Sequence, residues 1–134
     1  MNFFKSLFII IATSIKIFCN FGSMNLKAEI KTEIAEKLTN NFNICNVILF
    51  GSYAYGKPNT DSDIDLLVIL NDNEAINNYS DRIKKRVMIS KSLINIIKKT
   101  PVDILVHTSK EWKKLLDSGS FFYQDIRDKG VSII

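Results

Sequence analysis

Apolar residues recur along this chain at two different spacings, and the alternation between them sets out its elements. Leu26, Ile30, Ile34 and Leu38 stand every fourth residue with Glu and Lys between them. That spacing keeps them on one face of a helix, which Asn40 and Asn41 are expected to end. The pattern then changes to unbroken apolar runs at 44–50 and 63–70, short and rich in Ile, Leu and Val, as buried strands are. A small, turn-prone stretch at 52–59 joins them. After the polar residues 71–78, helical spacing returns over 80–99, with Ile83, Val87, Ile94 and Ile97 predicted on one side. Pro101 stops that helix, because proline lacks the backbone N–H and disfavours helical backbone just before it. A strand follows, holding Asp103, Ile104, Leu105 and Val106 and ending at His107. Thr108-Ser109-Lys110-Glu111 has the capping-box spacing and opens a short helix through Leu116, with Trp112 and Leu115 inward. Phe121, Phe122, Tyr123 and Ile126 form a last apolar cluster, expected as core or partner surface rather than a nucleobase platform. The class is α/β (α+β), with no internal repeat or low-complexity tract.

Composition narrows the picture. A chain of 134 residues with 46% hydrophobic content buries one core, so 24–134 is expected to be a single domain. The net charge of +4 suits a polyanionic small substrate or an acidic partner, and is too weak to indicate specific binding to duplex DNA. Residues 1–23 stand apart: Lys5 precedes an apolar run that Lys16 interrupts. It is short beside the roughly 20 apolar residues a span needs. It resembles a secretory leader but lacks an A-x-A-like cleavage site. Because the patterned domain begins at Met24, translation from there is expected, with 1–23 an apolar leader or an upstream extension of the gene, and the protein cytoplasmic. Cys19 falls in that segment and Cys45 just before an apolar run, where a buried reduced thiol is expected; no disulfide framework or zinc cluster is spelled out.

Charge inside the strands carries the chemistry. Ten residues separate Gly51-Ser52 from Asp63-Ile64-Asp65. Residues two apart on a strand share a face about 6.5 Å apart, so Asp63 and Asp65 are expected to project side by side. Two carboxylates that close oppose each other's ionisation until a cation joins them, and hard oxygen donors favour Mg²⁺, with Mn²⁺ as substitute. Gly51 lets a ligand approach the backbone, and amides opening the next turn, with the Ser52 hydroxyl, can hold phosphate. Asp103, early in a core-like strand, needs a partner or a metal. Gly-Ser, ten residues and Asp-x-Asp would occur by chance in a chain this short on the order of once per thousand chains. Asp61 reads as loop polarity, Lys57 as solvated unless it touches nucleotide, and His107 as structural rather than catalytic. The basic residues of 80–99, Arg82, Lys84, Lys85, Arg86, Lys91, Lys98 and Lys99, read as a solvated face or a partner or RNA contact.

The segment 48–70 resembles the signature of the nucleotidyltransferase superfamily with the DNA-polymerase-beta-like fold, and most closely its minimal members, the MNT antitoxins paired with HEPN toxins. The resemblance runs from about Leu26 onward. It implies the nucleotidyltransferase fold, a small mixed β-sheet flanked by helices. It also implies that Gly51 and Ser52 bind the triphosphate, that Asp63, Asp65 and Asp103 hold Mg²⁺ as two ions, and that Asp103 helps activate the acceptor. AMP would pass from ATP to a hydroxyl, with a tyrosine of a HEPN ribonuclease toxin as acceptor in a hetero-oligomer. Many relatives carry Arg four residues after the motif glycine, where this chain has Tyr55, so one triphosphate contact differs. Only 104–134 follow Asp103 in this sequence, and a second protein is therefore expected to bring the acceptor. A non-catalytic antitoxin, and a small-molecule adenylyltransferase of aminoglycoside type, are the competing readings.

Overall fold

The computed structural model describes residues 26–74 and 76–134. The leader or extension expected at 1–23, and Cys19 within it, lie outside the described residues. Helix α1 is Ala28–Asn41, strand β1 Ile44–Phe50, the single turn α2 Ser52–Tyr55, and β2 Ile64–Leu70. Then follow α3 Tyr79–Ser92, α4 Ile94–Ile97, β3 Val102–Thr108, α5 Ser109–Asp117, α6 Phe121–Lys129 and the two-residue β4 Val131–Ser132. The strands form one mixed sheet in the order β3-β2-β1-β4. β1 pairs antiparallel with β2 and β4, whereas β2 and β3 run parallel. This is the nucleotidyltransferase fold the motif implied.

Strand alternation divides the core between the two faces of the sheet. Ile64, Leu66, Val68 and Leu70 of β2 join Ile34 and Leu38 of α1 with Ile89, Leu93 and Ile96 of the α3–α4 region. Leu67 and Ile69 point the other way, to Ile48, Phe50 and Ile126, with Trp112 and Tyr123 packed against them. Burial on both faces explains why β2 reads as an unbroken apolar run.

Most element positions follow the sequence pattern, and the differences have local physical reasons. β2 begins at Ile64, not Asp63: the Ile64 amide donates to the Pro101 carbonyl at 2.8 Å, and Asp63 remains exposed at the end of the preceding turn. The long helix is two, because the backbone at Leu93 leaves helical geometry (φ −99°, ψ 13°). The apolar side predicted for it is not the one the sheet covers. Ile83, Val87 and Ile94 are exposed, and Ile89, Leu93 and Ile96 are the residues that enter the core. Cys45, expected buried, is an exposed free thiol where the β1–β2 register shifts between Ile44 and Asn46. The capping box is present: the Glu111 amide donates to Thr108 Oγ1 at 3.3 Å and the Thr108 amide to Glu111 Oε2 at 2.9 Å. Trp112 and Leu115 behind it are only half-buried. No helix among the described residues is long and apolar enough to cross a membrane.

Candidate functional site

The end of β1 and the start of β2 bring the motif together. Phe50 pairs with Asp65, so Gly51 comes directly beside that carboxylate. A Cβ added at Gly51 would collide with Asp65 Oδ2, and Gly51 also adopts φ +69°, where side chains are disfavoured. Both constraints select glycine. The chain then turns into α2, whose first amides, Ser52 and Tyr53, have no partner within the helix by geometry. The Ala54 and Tyr55 amides return to the Gly51 carbonyl, both at 3.1 Å, and fix the turn.

The parallel pairing of β2 with β3 supplies the third carboxylate. Asp65 stands in register with Asp103, so both project from the same face as Leu67 and Leu105. Asp65 is partly buried, Asp63 and Asp103 are exposed. The Asp65 carboxyl is held above its ordinary value by burial first, then by the charges of Asp103 and Asp63. The three acids therefore share one electrostatic neighbourhood in which a cation would relieve the conflict. Among the described residues, no three Asp, Glu, His or Cys side chains already converge as a metal cage. Asp103 is instead turned to Arg86, whose Nη2 donates to its Oδ1 at 2.9 Å. The oxygen donors and the raised Asp65 suit a hard divalent ion, and Asp103 would have to leave Arg86 to join it.

Sequence reading placed Arg86 on a basic face and missed this contact. Arg82 and Arg86, one turn apart on α3, both reach residues of the β3 edge. Arg82 donates to the Val106 carbonyl at 2.6 Å and to Glu111 Oε1 at 2.6 Å. Glu111 is thereby held ionised, its pKa lowered by the Arg82 hydrogen bond. His107 lies within 3.3 Å of Arg82 and within 3.2 Å of the Tyr123 hydroxyl. Burial first, then the Arg82 charge, lowers the His107 pKa, so the ring belongs to a supporting network rather than to the carboxylates. The only sequence sign of Arg86 was its four-residue spacing from Arg82 on the helix before the Asp103 strand.

Neighbouring residues fill in the setting. Phe122 meets Phe50 edge-on, with ring centres 6.0 Å apart, so aromatics line the sheet face next to Asp65. Tyr55, at the position of the common arginine, is exposed with Lys129 of α6 5.7 Å from its ring centre. Asp61 belongs to the loop, its amide donating to Asn59 Oδ1 at 2.9 Å, and Lys57 is exposed.

A glycine turn packed against a strand carboxylate, with further acids on either side, marks the nucleotidyltransferase class. The family model "Polymerase beta, Nucleotidyltransferase" matches residues 32–123, and the chain belongs to that family. Among solved structures it is similar to a chain of a toxin-antitoxin crystallised with AMP-PNP, at 22% identity, covering 78% of this chain and 72% of that one, TM-score 0.52. It is also similar to a mutant of the toxin-antitoxin MntA-HpeT, at 20% identity, with the same coverage and TM-score 0.51. A candidate nucleotidyltransferase from Sulfolobus solfataricus is 29% identical over 64% of this chain and 70% of that one, TM-score 0.48. No curated protein matches the chain.

Proposed function

We propose that this chain is a Mg²⁺-dependent nucleotidyltransferase that moves AMP from ATP to a hydroxyl, and that it acts as the antitoxin of a toxin–antitoxin pair. The observation that carries this is Asp65 pressed against Gly51 and raised by burial and by the charges of Asp103 and Asp63. Asp63, Asp65 and Asp103 would hold Mg²⁺ or Mn²⁺. The metal, when bound, offsets triphosphate charge and lowers the pKa of the acceptor hydroxyl. Gly51 admits the triphosphate to the backbone, and the Ser52 hydroxyl with the first α2 amides donates to its oxygens. Asp103, more than half exposed at the β3 edge, is open to the acceptor and can take its proton. The acceptor oxygen bonds to the α-phosphorus as the bond to the β-phosphate oxygen breaks, and pyrophosphate leaves.

The acceptor we favour is a tyrosine of a HEPN ribonuclease toxin, reached in a cytoplasmic hetero-oligomer. The shared fold of a toxin-antitoxin chain crystallised with an ATP analogue supports that direction. Incubation with α-phosphate-labelled ATP, Mg²⁺ and host lysate tests it. A labelled protein band, absent with Asp63→Asn and Asp65→Asn, is expected. Metal-dependent nucleotide binding without any labelled protein would overturn protein adenylylation in favour of occlusion or a small-molecule acceptor.

A further inference from the structure

Three of the residues predicted on one side of the 80–99 helix, Ile83, Val87 and Ile94, lie on the surface, and they lie together. Among the described residues, Tyr79, Ile83, Val87 and Ile94 of α3 and α4 are exposed by 77%, 43%, 45% and 45%. Tyr79, Ile83 and Val87 follow one another at four-residue steps, so they form a stripe rather than scattered exposure. With Ile97 and Val102 the stripe lines a groove of about 550 Å³. Its charged lining is Arg86 and Lys91, with no acidic residue. At its Val102 end, Arg86 is paired to Asp103, so the groove runs to the third carboxylate of the candidate site.

We propose that this groove docks an amphipathic helix of a partner protein, apolar along one side and acidic along its flanks, which brings the acceptor hydroxyl to Asp103. The proposal rests on the transferase reading and gives it an acceptor surface. A helix laid in a groove offers apolar anchors at i, i+3, i+4 and i+7, matching the length of the stripe, and acidic flanks pair with Arg86 and Lys91. Charge argues against occupants from this chain itself. Residues 1–25 carry Lys5 and Lys16 and no Asp or Glu. A second copy docked symmetrically would bring the same basic rim against itself.

The test uses the full chain and two synthetic helical peptides with the same leucine stripe, one flanked by Glu and one by Lys, followed by fluorescence anisotropy without nucleotide or metal. The Glu-flanked peptide is expected to bind at least about tenfold more tightly than the Lys-flanked one, and to lose at least about tenfold in Ile83→Asp/Val87→Asp. Lys91→Glu, at an exposed position, supplies the same comparison should the double variant fail to fold, and is expected to remove the preference for the acidic peptide. Binding of neither peptide, equal binding of both, or binding unchanged in the variants overturns the proposal. So does a homodimer in sedimentation that the groove substitutions dissociate, which would assign the stripe to a second copy. Because no transfer is involved, a chain that labels protein but binds neither peptide refutes the groove alone, and the converse result refutes protein adenylylation alone.

Discussion

At the scale of single residues, Asp65 is where stability and the proposed chemistry conflict. Its folded pKa is raised, so the folded chain holds that proton more tightly than the unfolded chain, and ionisation above the ordinary value of 3.8 weakens the metal-free fold. Asp65→Asn is therefore expected to raise the melting temperature of the metal-free protein by a few degrees near neutral pH while abolishing metal-dependent nucleotide binding; calorimetry with and without Mg²⁺ reads both. Gly51→Ala should act oppositely on stability, costing about 1–3 kcal/mol from positive-φ strain and the collision with Asp65, measured by urea denaturation. These residues were legible because Gly51, Ser52, Asp63 and Asp65 lie within one hairpin, so a local pattern spells out a spatial neighbourhood. The Arg86–Asp103 pair was not, since it depends on how a helix is rotated against a strand. Removing Arg86 deletes a cation that competes for Asp103. Arg86→Ala is expected to tighten Mn²⁺ binding by about twofold to fivefold, on the order of the 1 kcal/mol or less an exposed ion pair contributes, and titration of the metal alone checks it.

At the scale of elements, the capping box is the clearest local instruction. Thr108→Ala leaves an α5 amide without its cap and is expected to cost about 1 kcal/mol in urea denaturation. That signal was readable because every partner lies within four residues. The α3–α4 region was misread for the opposite reason. Ile83, Val87, Ile94 and Ile97 satisfy the helical period, but so do Ile89, Leu93 and Ile96 once the helix is interrupted at Leu93. Periodicity shows that a face is apolar without saying whether the chain's own sheet covers it. β4 escaped notice because two residues carry no period, and its pairing with β1 is long-range.

At the scale of the molecule, helices α1, α3 and α4 cover one face of the sheet, while α5 and α6 cover the other and leave the carboxylate end open. The Arg82–Glu111–His107–Tyr123 network joins α3, β3, α5 and α6 toward the opposite end of β3, four residues beyond Asp103. His107 is held below its ordinary 6.5, so as pH falls from about 6.5 the unfolded chain takes up a proton before the folded one does. Stability present above 6.5 should be lost progressively toward the lower folded pKa, and His107→Gln should flatten that part of the urea midpoint against pH. The central claim is that the carboxylates and the glycine turn make one metal and triphosphate site. Free Mn²⁺, followed by electron paramagnetic resonance during titration of the chain with a non-hydrolysable ATP analogue, tests it most directly. Nucleotide-dependent Mn²⁺ uptake that weakens at least about tenfold in Asp65→Asn is expected. No uptake by the wild-type chain, or equal uptake by the variant, would contradict it.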